Sequence, residues 1–384
     1  MSGDDLNAEW LTQLYELREQ GMHVTDINPI SALADIIGEQ IASGDLSSDR
    51  LGLFLEHYAV ELWQQRVENL RTQTGLDDMI PQLPDITSRD ITRPLYSAVF
   101  TAHPVFALKP EVSAAMCHHA VAKAGVVPHD AFAPRQSVTL DDEHGEAMAA
   151  LKHARAAINE INADILRQLR SADPDGWRKT LPAMINVSTW VGYDLDGRSD
   201  ISWTDSFRLR LREKYMALRG YERAVRDSKI DMLSPVADRL AVGCATTSQH
   251  LKAFEAVESG KAEFDTVMNA LTEDPDRLVS SHALAKEIHQ IAQDIPDEED
   301  ALTALVISAD ISTHGFGMGE VHLRINAVQI RNAMRSVDGR TISVSDGVSS
   351  PRLLMERLAL RIRKESAWDI SFASLDSETA TARR

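Results

Sequence analysis

The chain has 384 residues, 43% of them hydrophobic and 26% charged, the balance of a folded globular protein long enough for one large domain or two. Its formal net charge of −18 repels nucleic-acid phosphates and anionic lipid, so neither nucleic acid nor a membrane is expected as a partner, and an anionic substrate needs a local basic pocket. Two distant cysteines (Cys117 and Cys244), an acidic N-terminus without a signal-peptide core, and no stretch of membrane-spanning length lead to the expectation of a cytoplasmic protein.

In chain order, residues 31–43 put Leu33, Ile36, Ile37 and Ile41 on one helical face behind an Asn28-Pro29 start signal. Residues 50–72 continue the pattern with Leu51, Leu53, Phe54, Tyr58, Leu62 and Trp63. A proline-rich loop, PQLPDITSRDITRP, then leads to a short apolar strand at 95–100. Helical periodicity returns over 111–124, 143–171, 205–229, 236–258, 261–272, 279–293 and 298–309, and the helix at 205–229 is rich in Arg and Lys. Further strand-like runs lie at 183–192, 311–325, 341–345 and 369–374. One or several helices separate each strand from the next, an order that predicts parallel strands joined by long crossovers rather than hairpins. No internal repeat or low-complexity linker divides the sequence, which predicts a single body over 1–384. After the strand DISFASLD the chain has room for only a turn or two of helix, too little to cover a strand face, so it is expected to be truncated at its C-terminus.

Three stretches carry candidate chemistry. The first is VFTAHPVFALKP (99–110), where Pro104 cannot donate to a strand ladder and pairing should stop near His103. A titratable ring at a strand end is well placed for a site, and equally for a half-buried histidine satisfied by a backbone carbonyl. The second is STWVGYDLDGRS (188–199), a strand running into a D-x-D-G turn, in which Asp194 and Asp196 suit turn and ion-pair duty with Arg198 better than a metal, since the further ligands of a calcium loop are missing. The third is THGFGMGEVHLRINA (313–327). Its glycines do not fit G-x-G-x-x-G, and an alternating strand follows them where a nucleotide loop needs a helix. Alternation points Val321, Leu323 and Ile325 one way, with His322, Arg324 and Asn326 the other. Arg324 then requires either a buried carboxylate or a bound anion. Cys117, His118 and His119 are adjacent on a helix and so diverge, which disfavours a metal site.

TAHP (101–104), the W-x-G-x-D-x-D-G segment (Trp190, Gly192, Asp194, Asp196, Gly197) and the strand ending in Arg324 occur in that order, preceded by NPISALADIIGEQI. Together they resemble the N-terminal half of phosphoenolpyruvate carboxylase, in a divergent bacterial-type form, over essentially the whole chain. The family's polar pair after TAHP is replaced by Val105 and Phe106, and Lys109 stands at a family arginine. Leu195 replaces another arginine, Arg198 and Ser199 replace Asn-Pro, and His322 replaces an aspartate.

The resemblance implies an α/β, predominantly helical fold: a partial (β/α) barrel surrounded by many helices. It implies the conversion of bicarbonate and phosphoenolpyruvate to oxaloacetate and phosphate, with His103 and Arg324 catalytic and Lys109 and Arg198 binding substrate. It further implies Mg²⁺ or Mn²⁺ on ligands outside this chain, homo-oligomerisation of the full-length form, and inactivity of this chain alone. The apolar replacements Val105, Phe106 and Leu195 point instead to a non-catalytic homologue, a scaffold or regulatory partner that kept the fold.

Overall fold

The structure is a computed structural model, and it describes residues 3–23, 28–73, 88–101, 114–116, 118, 138–195, 200–258 and 260–324. The chain divides into two compact units, residues 1–82 with 104–138, and residues 83–103 with 139–384.

The first unit contains α1 (Gly3–His23), α2 (Pro29–Ser43) and α3 (Ser48–Gln73). Its second helix follows the sequence closely. The Asn28 side chain accepts from the Ile30 and Ser31 backbone N–H groups, Pro29 sits in the first turn, and Gly44 ends the helix at φ 81°. Leu33, Ile37 and Leu51 pack on a small core of Trp10, Leu46 and Phe54, with the Trp10 and Phe54 rings edge to face at 4.6 Å. Ile41, Leu53, Tyr58 and Leu62, expected on packed faces, are exposed in this unit.

The second unit begins with a single turn, α4 (Ser88–Ile91), and continues through β1 (Tyr96–Phe100), α5 (Leu140–Ala172) and β2 (Ile185–Thr189). Helices α6 (Trp203–Ser228), α7 (Ser234–Glu258), α8 (Phe264–Glu273), α9 (Ser281–Asp294) and α10 (Glu298–His314) follow, before β3 (Glu320–Val321). Thr139 and Ser202 open α5 and α6 through reciprocal capping with Asp142 and Asp205.

Helices dominate the described residues, around one small sheet of order β1-β2-β3. Both pairings are parallel, with Tyr96 opposite Ile185 and Thr189 opposite Val321. The crossovers are helical, as the spacing of the strands predicts. Phe207, Leu211, Phe254 and Leu271 form an apolar cluster among α6, α7 and α8. Among the described residues no helix is long and apolar enough to cross a membrane.

The strand expected over 311–325 is mostly something else. Asp297 caps α10 by accepting from the Glu299 and Asp300 backbone, and the helix runs through buried Ile311 to His314. Gly315 ends it at φ 64°, and only Glu320 and Val321 make a strand. The apolar run that looks extended is the buried last turn of a helix.

Gly319 lies against β2. A Cβ there would stand 2.7 Å from the Val187 carbonyl oxygen, a rigid backbone atom. Gly319→Ala is therefore expected to destabilise the protein by about 1–3 kcal/mol as β3 is pushed from its partner. Urea unfolding measures this directly, and an unchanged midpoint would mean that β3 does not pack so closely.

Candidate functional site

Two of the three singled-out stretches meet at the C-terminal ends of β2 and β3. Beyond Thr189, the chain turns through Trp190 and Gly192, the latter at φ 87° with its α-carbon against the Leu209 side chain. This turn returns Tyr193 and Asp194 alongside the residues that follow β3. The His322 N–H donates to the Thr189 carbonyl at 2.9 Å, Arg324 N–H to the Tyr193 carbonyl at 3.0 Å, and Leu195 N–H to the Arg324 carbonyl at 3.0 Å. Asp194 and Arg324 thus form a parallel bridge past the end of the sheet.

The side chains converge on one indole. The Arg324 guanidinium lies over the Trp190 ring, 4.5 Å from its centroid, and the His322 ring stacks on the same indole at 6.4 Å and 29°. His322 and Arg324 therefore share a side of the strand, as alternation predicts. Arg324 stands 3.7 Å from Asp194, and its side chain is 51% exposed. That exposure departs from the buried carboxylate partner considered for it. An ion pair that long and that open contributes little to stability.

Beneath this surface lies a polar layer that sequence reasoning missed. Glu213 of α6 is fully buried and accepts from the Tyr193 hydroxyl at 2.7 Å, His144 Nε2 at 3.1 Å and Arg210 at 3.0 Å. Burial pushes its carboxyl up, but these donors more than offset that and hold it below its ordinary value. Burial, with the adjacent carboxylate, raises the Tyr193 phenol well above its own.

A second group is built on Arg155 of α5, which grips Asp310 of α10 with two parallel bonds of 3.0 and 2.9 Å. Arg155 also donates to the Gly317 carbonyl at 3.1 Å and the Tyr221 hydroxyl at 2.8 Å, and Tyr221 donates onward to the Gly315 carbonyl at 2.6 Å. His314 Nδ1 donates to Asp310 at 2.9 Å. Burial pushes Asp310 up, yet Arg155 and His314 outweigh it and hold the carboxyl far below the usual range. Burial lowers His314 by more than Asp310 restores, so the ring stays neutral near neutral pH.

The glycine-rich stretch is explained by these contacts. Gly315 stops α10, the Arg210 guanidinium rests on the α-carbon of Gly317, and Gly319 admits the β2 backbone. Both groups clamp the turn leading to β3 and, through it, fix where His322 and Arg324 stand.

His103, Lys109 and Arg198 lie outside the described residues, as do Asp196, Gly197 and Cys117. Of the expected site residues, Arg324 is placed, in contact with Trp190 and Asp194 of the second motif. Among the described residues no group of three or more His, Cys, Asp or Glu side chains is arranged to hold a metal ion. No protein-family model matches the chain, and no curated protein sequence matches it.

Proposed function

We propose that this chain is the N-terminal part of a phosphoenolpyruvate carboxylase and that its parallel strands belong to a partial (β/α) barrel. The observation that carries the reading is the meeting of the Trp190–Asp194 segment with Arg324 at the C-terminal ends of parallel strands, the end where α/β barrels build their sites. In this reading bicarbonate oxygen attacks the phosphoryl group of phosphoenolpyruvate, breaking its bond to the enol oxygen and leaving carboxyphosphate and an enolate. His103 takes the carboxyphosphate proton, a task suited to an imidazole at neutral pH, and the intermediate divides into CO₂ and phosphate. The enolate carbon then bonds to CO₂, giving oxaloacetate. Arg324, half-exposed and only loosely paired, holds phosphate or carboxylate oxygens with its fixed fork of donors. Lys109 and Arg198 add positive charge that an acidic protein needs around a polyanion. The described residues supply no metal set, and the reading assigns Mg²⁺ or Mn²⁺ to ligands outside this chain.

The test is oxaloacetate formation from phosphoenolpyruvate, bicarbonate and Mg²⁺, coupled to malate dehydrogenase. It is run on the product of the whole coding sequence and on residues 1–384. The expected result is activity in the former, none in the latter, and a loss of at least about a hundredfold in kcat/KM on Arg324→Ala. A whole product without activity overturns the reading in favour of the non-catalytic homologue.

A further inference from the structure

We propose that His322 is the second half of an oxyanion clamp with Arg324, and that it gives the site its preference for phosphate over a simple carboxylate. The proposal rests on the reading above for the choice of a phosphate ester as natural ligand; its geometry is independent of that reading. Both side chains lie on the Trp190 indole, the guanidinium at 4.5 Å and the imidazole at 6.4 Å from the ring centroid. Both side chains thus rest on one indole, and among the described residues no strong partner holds either donor. His322 makes no side-chain hydrogen bond among the described residues, and the one carboxylate near Arg324, Asp194, stands at 3.7 Å. Residues two apart on an extended chain are spaced by roughly 6.5 Å.

A planar carboxylate has two oxygens, which the guanidinium fork occupies by itself. A tetrahedral phosphate has a further oxygen out of that plane, free to accept from an imidazole N–H at ~2.8 Å. The indole face supplies an apolar floor, and Asp194, 3.7 Å from Arg324, is the carboxylate with which a bound anion competes. His322 thus adds affinity only for the tetrahedral anion.

The experiment follows the Trp190 indole N–H, assigned with Trp190→Phe, in nuclear magnetic resonance titrations of the full chain. Sodium phosphate and sodium acetate are added separately at constant ionic strength. His322→Phe keeps a ring on the indole but removes the donor, and it is expected to weaken phosphate about tenfold while leaving acetate unchanged. His322→Asn, which restores an N–H, should recover most of that loss. Equal phosphate affinity in His322→Phe and the parent chain, an equal loss for acetate, or no saturable phosphate binding by the parent overturns the proposal. Because oxaloacetate is not the readout, phosphate clamping by the chain together with no oxaloacetate formation by the product of the whole coding sequence refutes the carboxylase reading and leaves the clamp standing.

Discussion

Arg155→Met is expected to lower the unfolding free energy of the second unit by about 3–5 kcal/mol. The substitution removes a cation that two bonds tie to Asp310 and leaves that largely enclosed carboxylate with the His314 ring as its remaining partner. It also frees the Gly317 carbonyl and takes one partner from the Tyr221 hydroxyl. For a unit of this size the loss corresponds to a fall of roughly 10 °C in Tm. The double substitution Arg155→Met with Asp310→Leu removes both charges together, and it should recover much of the loss because no charge is left unpaired. Thermal melts of the three chains settle the matter. Equal losses in the single and double variants would show that packing volume, rather than the ion pair, is what Arg155 contributes.

Stability should also fall in two stages on acidification. His314 is held below its ordinary value of 6.5, so the unfolded chain takes up a proton there that the folded chain refuses. Stability is then level above pH ~7 and declines below pH ~6.5, by at most about 1.4 kcal/mol per pH unit for this one proton. Glu213 and Asp310 are held below their ordinary 4.5 and 3.8, so the stability they confer persists above those values and is lost as pH falls through them, steepening the curve. Denaturant unfolding at a series of pH values reads both stages. His314→Gln should flatten the first and spare the second. A parent chain equally stable at pH 7.5 and 5.5 would contradict the account of His314.

What sequence could specify here was local. The start signal at Asn28-Pro29, the helical periods, and the parallel relation of strands separated by helices all follow from side-chain chemistry at known spacing. Residues 311–325 misled because a buried helical turn and a buried strand are equally apolar, and the alternation of His322 and Arg324 was extended back over a helix end. Within the site, Trp190, Asp194 and Arg324 were legible as motif members. Their meeting was not, because it depends on the left-handed backbone at Gly192 and on a turn clamped from below. The clamp itself was hidden for a different reason. Arg155, Arg210 and Glu213 sit on helices among many charged residues, and nothing in their spacing tells a solvated charge from one that tertiary packing encloses. Arg210–Glu213 and Asp310–His314, at three and four residues apart, were the only available signals, and such pairs are common on helix surfaces.

The parallel sheet has a consequence for how the protein is made. Ser188 meets Ala98 across 90 residues of chain, and Arg155 meets Gly317 across 162. A ribosome adding about 5–20 residues per second delivers β1 roughly ten to forty seconds before β3. During that interval the helix pairs can form from neighbouring sequence, whereas the sheet must wait for its last strand. Until β2 is made, Tyr96 and Val99, exposed even in the finished fold, lie on a strand without its partner, the kind of edge that invites pairing with another chain. The indole platform that receives Arg324 is thus among the last parts of the described fold to be assembled, and its appearance reports that synthesis has passed the third strand.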